Sequence, residues 1–70
     1  MERTRVNSSK IRSVGYEERS RTLEIEFSDG SVFQFSGVSG EVHRRMMASP
    51  SIASFYQDRI EEEYSRKRMK

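Results

Sequence analysis

The fold of this chain follows from one stretch of sequence, Leu23-Glu24-Ile25-Glu26-Phe27-Ser28-Asp29-Gly30-Ser31-Val32-Phe33-Gln34-Phe35. Apolar and polar residues alternate on both sides of an Asp-Gly pair, which is typical of a half-buried β-hairpin. A two-residue loop would leave both phenylalanines of the second strand facing the glutamates. A three-residue loop with a left-handed glycine pairs Ile25 with Phe33 and Leu23 with Phe35 instead. We predict this second register, because it places all five large apolar side chains on one face.

An upstream strand completes a three-stranded antiparallel meander. Residues 11 to 16 carry Val14 and Tyr16 at a period of two, and the wholly polar residues 17 to 21 connect them to the hairpin. The outer strands of a sheet present unpaired backbone groups. We therefore expect the first and third strands of this meander to be edges that could pair with another chain.

A helical period replaces the strand period after the hairpin. Val42 and Met46 are spaced for a helix of roughly residues 39 to 48. Ser49 and Pro50 then have the residue types of a helix N-cap and first helical position. The sequence therefore predicts a second helix that begins at this Ser-Pro pair.

The second helix is predicted to be long. Its apolar stripe at three- and four-residue steps consists of Ile52, Phe55, Tyr56, Ile60 and Tyr64. Glutamate at i and a cation at i+4 stabilise a helix, and both Glu62 with Arg66 and Glu63 with Lys67 have this spacing. We expect the helix to continue to about residue 67.

Together these elements predict an α+β fold. A three-stranded antiparallel meander has one apolar face, and two C-terminal helices with apolar stripes can cover it in the order β-β-β-α-α. Residues 1 to 9 are polar and are predicted to be an N-terminal arm of uncertain order. Residues 10 to 67 form the single domain, and residues 68 to 70 form a basic tail.

The composition narrows the class of protein. Seventy residues predict one domain whose core buries only about 60% of the unfolded surface. The chain has no cysteine, so disulfides, thiolate nucleophiles and zinc knuckles are excluded. It has no apolar run long enough for a membrane span and no signal-peptide pattern, so we expect a cytoplasmic location without membrane association. The net charge of +2 is a mild basic bias.

Residues suited to catalysis are few. The single histidine, His43, lies beside two arginines and is expected to be a solvated surface residue. Glu61, Glu62 and Glu63 are consecutive, so on a helix they point about 100° apart and do not converge on a metal or a substrate. The glycines do not have phosphate-loop spacing. We therefore expect no enzyme activity, cofactor, metal site or small-molecule substrate.

Phe33 and Phe35 have two alternative roles. Aromatic side chains at alternate strand positions can stack on RNA bases, as in RNA-recognition folds. The same two rings can belong to the core, because an uncovered patch of five large apolar side chains is unusual on a soluble monomer. The register favours the core.

Basic residues are the candidates for nucleic-acid binding. They form a group near the start, a group on the first helix and a group at the end, from which we select Lys10, Arg12, Arg44, Arg45, Arg66, Lys67 and Arg68. Such groups bind phosphates best when they converge on one face. The alternative is ordinary solvated charge, and the acidic stretch from 58 to 63 favours it.

The order and spacing of these residues resemble the KTSC domain family, which is named for a C-terminal extension of some lysyl-tRNA synthetases. The resemblance covers residues 6 to 64. It rests on Val6, Ser8, Ser9, Ile11, Val14, Gly15, Tyr16, Leu23, Ile25, Phe27, Gly30, Phe33, Phe35, Val38, Phe55, Tyr56, Ile60 and Tyr64.

The resemblance implies no reaction. It suggests RNA as a partner, and the family's link to a tRNA synthetase extends this suggestion to tRNA by analogy alone. Phe33 and Phe35 stand where the family has tyrosines, so their rings can pack or stack but cannot form hydrogen bonds. Ser39, Ala53 and Gln57 also depart from the family pattern. Our first hypothesis is a non-catalytic RNA-binding domain; the second is a protein-interaction or self-association domain that pairs through a sheet edge.

Overall fold

The computed structural model of the protein describes residues 2–70 and consists of an antiparallel sheet packed against two helices. In chain order the elements are β1 (Arg3–Arg5), β2 (Ile11–Glu17), β3 (Thr22–Phe27), β4 (Val32–Phe35), α1 (Gly40–Ala48), α2 (Ile52–Phe55) and β5 (Arg66–Arg68). Strand order in the sheet is β1-β2-β3-β4-β5. Helix α2 continues directly into a π-helical turn, Tyr56–Ile60.

The predicted register of the hairpin is confirmed. Ile25 lies opposite Phe33 and Leu23 lies opposite Phe35. The loop has three residues, because the backbone N–H of Phe27 donates to the carbonyl of Ser31 at 2.8 Å. Its glycine, Gly30, has a φ of +92°, a conformation that side chains rarely adopt.

The core lies between one face of the sheet and the helices. Its fully buried side chains come from β2, β3, β4, α1, the π-helical turn and the β4–α1 connection, and include Ile11, Val14, Leu23, Ile25, Phe35, Val38, Met46 and Ile60. Phe35 is therefore a core residue, as predicted. Phe33 is only partly buried and packs against the edge of this cluster.

The sheet formed by residues 2–70 has five strands, so the prediction of three is wrong. The first extra strand, β1, lies in the segment that we expected to be an arm, and it pairs Thr4 with Val14. Met1, which also belongs to that expected arm, lies outside the described residues. All three residues of β1 are exposed, so this strand has no apolar alternation by which the sequence could reveal it.

The second extra strand, β5, replaces the predicted end of the second helix. The helical segment ends at Ile60, and the chain returns so that Phe33 lies opposite Arg68 and Phe35 opposite Arg66. This return gives β4 partners for its backbone groups, such as the Val32 N–H donated to the Lys70 carbonyl at 3.0 Å. Each such hydrogen bond stabilises by about 1 kcal/mol, whereas a helical glutamate–cation pair contributes only about 0.2–0.5 kcal/mol.

Two further predictions are corrected by these outer strands. The strands that we expected to be edges, β2 and β4, are interior, and the edges are β1 and β5. The expected basic tail is also part of the sheet, since Arg68 lies in β5.

Helix α1 has nearly the predicted bounds, but α2 begins later than predicted. The hydroxyl of Ser39 caps α1 by accepting from the N–H of Val42. Ser49 ends α1, and Pro50 lies between the helices. The N-cap of α2 is Ser51, whose hydroxyl accepts from the N–H of Ser54 at 3.3 Å.

Replacing Gly30 with alanine is expected to destabilise the hairpin. A Cβ at this position meets no atom within 4 Å, so the cost is backbone strain at positive φ, about 1 kcal/mol. Gly40→Ala is the matched control, because its Cβ makes only ordinary contacts at the start of a helix. Compared with the unchanged protein, the urea midpoint of unfolding should be lower for Gly30→Ala and equal or higher for Gly40→Ala. An equal decrease of the midpoint in both variants contradicts backbone strain at position 30 as the cause.

Candidate functional site

A cleft of about 290 Å³ opens between the sheet and the helical segment that follows Ser51, and we call it the Phe33 cleft. Its apolar wall is formed by Ile11, Phe27, Phe33, Ala53 and Tyr56. Its polar lining consists of Lys10, Ser31, Gln57, Glu61 and Arg66. An apolar wall with a few polar groups is the usual composition of a ligand site, although this one is small.

Three aromatic rings define the shape of the cleft. Phe27 meets Phe33 edge to face with centroids 5.8 Å apart, and it meets Tyr56 in the same way at 5.2 Å. Edge-to-face pairs of this kind fix the rings relative to one another. The wall is therefore preorganised rather than formed by loose side chains.

Two arginines of β5 lie over the ring of Phe33. The guanidinium carbons of Arg66 and Arg68 are 5.4 and 5.8 Å from its centroid. Strand geometry explains the arrangement, because residues two apart on a strand point to the same face. Lys67, between them, points to the opposite face beside its partner Gln34.

The phenol of Tyr56 has both a cation, Arg66, and a carboxylate, Glu61, in its vicinity. Burial raises the pKa of Tyr56, the nearby Glu61 carboxylate raises it further, and Arg66 opposes the shift. Tyr56 therefore stays protonated at neutral pH and can donate a hydrogen bond.

The seven predicted binding residues do not converge on one face. Lys10 and Arg66 line the Phe33 cleft, and Arg68 stands over its ring. Arg12 and Lys67 lie elsewhere on the sheet, and Arg44 and Arg45 lie on α1. The structure thus brings Lys10, near the start of the chain, close to Arg66 and Arg68, near its end.

Arg12 belongs to the open face of the sheet, which is the face directed away from the helices. A wide groove of about 590 Å³ there is lined by Arg3, Arg5, Arg12, Ser13 and Glu26. Arg12 approaches Glu26 at 3.7 Å, and Arg3 approaches Glu24 at 3.4 Å. Much of the positive charge of this groove is therefore neutralised within the protein.

One of the two arginines of α1 is also committed to a local contact. Arg45 pairs with Glu41 one helical turn away at 2.9 Å. Arg44 lies near His43, which is not the freely solvated residue that we expected. The imidazole of His43 stacks on Tyr16 with centroids 4.8 Å apart, and burial, helped by Arg44, lowers its pKa.

Sequence reasoning missed the helical side of the cleft. Tyr56 was recognised only as part of an apolar stripe, and Ser31, Gln57 and Glu61 received no binding role. The strand register was enough to place Phe27 beside Phe33. The position of Tyr56 depends on how the helix docks on the sheet, for which the sequence contains no local signal.

The three consecutive glutamates lie in the turn after Ile60 and not on the predicted helix, and they do not all face the cleft. Glu61 lines the Phe33 cleft, whereas Glu63 lines a separate cavity beside Phe55. Within residues 2–70, the structure contains no group of three acidic, histidine or cysteine side chains placed to hold a metal ion. No helix in that same range is long and apolar enough to cross a membrane.

Both edges of the sheet are strongly cationic. β1 has the sequence Arg-Thr-Arg and β5 the sequence Arg-Lys-Arg, and all six residues are exposed. Charged residues on edge strands oppose pairing between identical edges, because like charges are brought together. The geometry therefore gives no support to self-association of β1 with β1 or β5 with β5.

Removing the Glu61 carboxylate is expected to lower the pKa of Tyr56 towards its ordinary value of 10.0. Because the folded pKa is raised, folding favours the neutral phenol. This contribution to stability is complete below the ordinary pKa and is lost as the pH rises through the folded pKa.

NMR titration of the Tyr56 ring in Glu61→Gln tests this expectation. Glu62→Gln is the matched control, because this substitution removes the same charge from a residue that does not line the cleft. A Tyr56 pKa that is unchanged or higher in Glu61→Gln contradicts the described position of that carboxylate.

Comparison with known proteins is consistent with this architecture. The family model of the KTSC domain matches residues 7–64. An uncharacterized protein from Stutzerimonas stutzeri (strain A1501) is 32% identical over 56 residues, which cover 80% of this chain and 79% of that protein. The crystal structure of a KTSC domain protein from Yersinia pestis has a TM-score of 0.93 at 31% identity, covering 99% of this chain and 97% of that one.

Proposed function

This chain belongs to the KTSC domain family, and we propose that it is a non-catalytic domain that binds single-stranded RNA at the Phe33 cleft. The observation that carries the proposal is the partly exposed ring of Phe33, with two guanidinium groups above it and Lys10 at the rim. An aromatic surface combined with cations is the usual means of binding single-stranded nucleic acid.

The ring of Phe33 is suited to stacking with a base. Its present contacts with Arg66 and Arg68 are exposed cation–π contacts, each contributing about 0.5–1 kcal/mol. A base stacked on an aromatic side chain contributes about 1–3 kcal/mol. A base can therefore displace a guanidinium from the ring, and the displaced guanidinium remains close enough to contact phosphate.

The charge at the cleft favours a polyanion. Lys10, Arg66 and Arg68 lie near two carboxylates, Glu61 and Asp29, but none of these three cations forms an ion pair within residues 2–70. In the open-face groove, Arg3 and Arg12 are paired with Glu24 and Glu26. The cleft cations are thus more available to phosphate, and they lie beside an aromatic wall that the groove lacks.

Of the seven predicted site residues, Lys10, Arg66 and Arg68 belong to the proposed site, and Arg44 and Arg45 on α1 have no binding role in it. The proposed domain is not an enzyme: its single histidine, His43, is stacked on Tyr16 and does not line the cleft. Arg12, Lys67 and the expected cytoplasmic location stay predictions.

RNA affinity should depend steeply on salt through the cleft cations. With three phosphate contacts on a single strand, raising salt from about 50 to about 200 mM should weaken binding about 20-fold. In Lys10→Gln/Arg68→Gln, only one contact remains, so the same change in salt should cost about threefold.

The matched control is Arg44→Gln/Arg45→Gln, which loses the same charge on α1 and should keep the steep dependence. Fluorescence anisotropy with a labelled uridine hexamer, and then with tRNA, measures both slopes. Equal slopes in the two double variants, or no binding at low salt, contradict the proposal.

Replacing the Phe33 ring with an aliphatic side chain should weaken RNA binding without unfolding the domain. Phe33→Leu preserves most of the apolar packing but removes the stacking surface, so we expect about a tenfold loss of affinity. Phe55→Leu is the control, because Phe55 is also partly buried but lines a different cavity. Equal affinities in these two variants, with folding verified by circular dichroism, contradict stacking on Phe33.

A further inference from the structure

Two polar side chains on the helical side of the Phe33 cleft have no role in stacking or phosphate binding. Gln57 and Glu61 both line the cleft and both are exposed to solvent. The three ion pairs within residues 2–70 do not include Glu61. A free carboxylate beside a site for a polyanion lowers affinity for phosphate, so its presence favours a ligand group that donates hydrogen bonds.

The backbone fixes Glu61 next to the aromatic wall. Its N–H donates to the carbonyl of Tyr56 at 2.9 Å and so closes the π-helical turn. The Glu61 carboxylate lies close enough to the Tyr56 phenol to influence its ionisation. A base stacked in the cleft therefore has this carboxylate within reach of one of its edges.

Nucleobases differ in what they offer to a carboxylate. Guanine presents two adjacent donors on its Watson–Crick edge, N1–H and the 2-amino group, which match the two oxygens of a carboxylate. Adenine and cytosine present one donor beside an acceptor nitrogen, which repels the second oxygen. Uracil presents one N–H between two carbonyl acceptors. Only guanine can donate two parallel hydrogen bonds to Glu61.

We infer that the Phe33 cleft prefers guanine among the bases of single-stranded RNA, with Glu61 as the residue that determines this preference. The inference rests on the proposed function, because it assigns a base to the same cleft. Phe33 supplies the stacking surface, and Lys10, Arg66 and Arg68 bind the flanking phosphates whatever the base. Gln57, beside Glu61, offers an amide to the remaining base edge.

Labelled uridine hexamers with one central substitution test the preference. We expect the guanosine hexamer to bind about fivefold more tightly than the adenosine hexamer, which is the lower end of the discrimination given by a bidentate contact. The inosine hexamer should fall between them, because inosine retains N1–H but lacks the 2-amino group.

The variant Glu61→Gln should bind the guanosine and adenosine hexamers within about twofold of one another, since a carboxamide offers only one acceptor oxygen. Its affinity for the adenosine hexamer should rise, because a negative charge has been removed. Glu62→Gln has the same change of charge outside the cleft and should keep the fivefold preference.

The outcomes separate the inference from the proposed function. Tight, salt-dependent binding of all hexamers without a guanosine preference overturns the inference and leaves RNA binding intact. A preference that persists in Glu61→Gln also overturns the role of Glu61. If no hexamer binds at low salt, both the preference and RNA binding at this cleft are wrong.

Discussion

The cross-strand pairs Ile25–Phe33 and Leu23–Phe35 are the constraint on which the rest of this structure depends. Because side chains alternate along a strand, shifting β4 by one residue would turn both phenylalanines to the open face. The observed register instead puts Phe35 in the centre of the core and Phe33 nearer its edge. The Phe33 cleft exists because the ring is held at this boundary.

The same register determines which cations reach the cleft. β5 pairs with β4 so that Arg68 is opposite Phe33 and Arg66 is opposite Phe35. Alternation then directs both arginines to the helical side, where they stand over one ring, and directs Lys67 to the other side. Three consecutive basic residues, which look equivalent in the sequence, therefore have two different environments.

The two faces of the sheet differ in how far their positive charges are paired with carboxylates. On the open face, Glu24 and Glu26 receive contacts from arginines, and Ser13 donates to Glu26 at 2.9 Å. Arg12 and Glu26 are on adjacent strands, and Arg3 of β1 reaches Glu24 of β3 across β2, so these acids and cations neutralise each other. Beside the helices, the cleft cations lie near Glu61 and Asp29 but form no ion pair within residues 2–70. The proposed binding site is thus the place where positive charge remains available beside an aromatic wall.

The sequence by itself determined the hairpin, its three-residue loop, the strand register, helix α1 and the central apolar residues. These features depend on local periodicity or on one glycine. Only the tertiary structure decided the outer strands β1 and β5, the early end of the second helix and the position of Tyr56 in the cleft. The physical reason is that both outer strands are exposed and basic, so backbone hydrogen bonds to β2 and β4 hold them in place without any apolar pattern. Local helix-stabilising pairs such as Glu62 with Arg66 are visible in the sequence. The backbone hydrogen bonds that β4 can form with another strand stabilise the chain more than these pairs do, but the edge of β4 exists only after the sheet has formed.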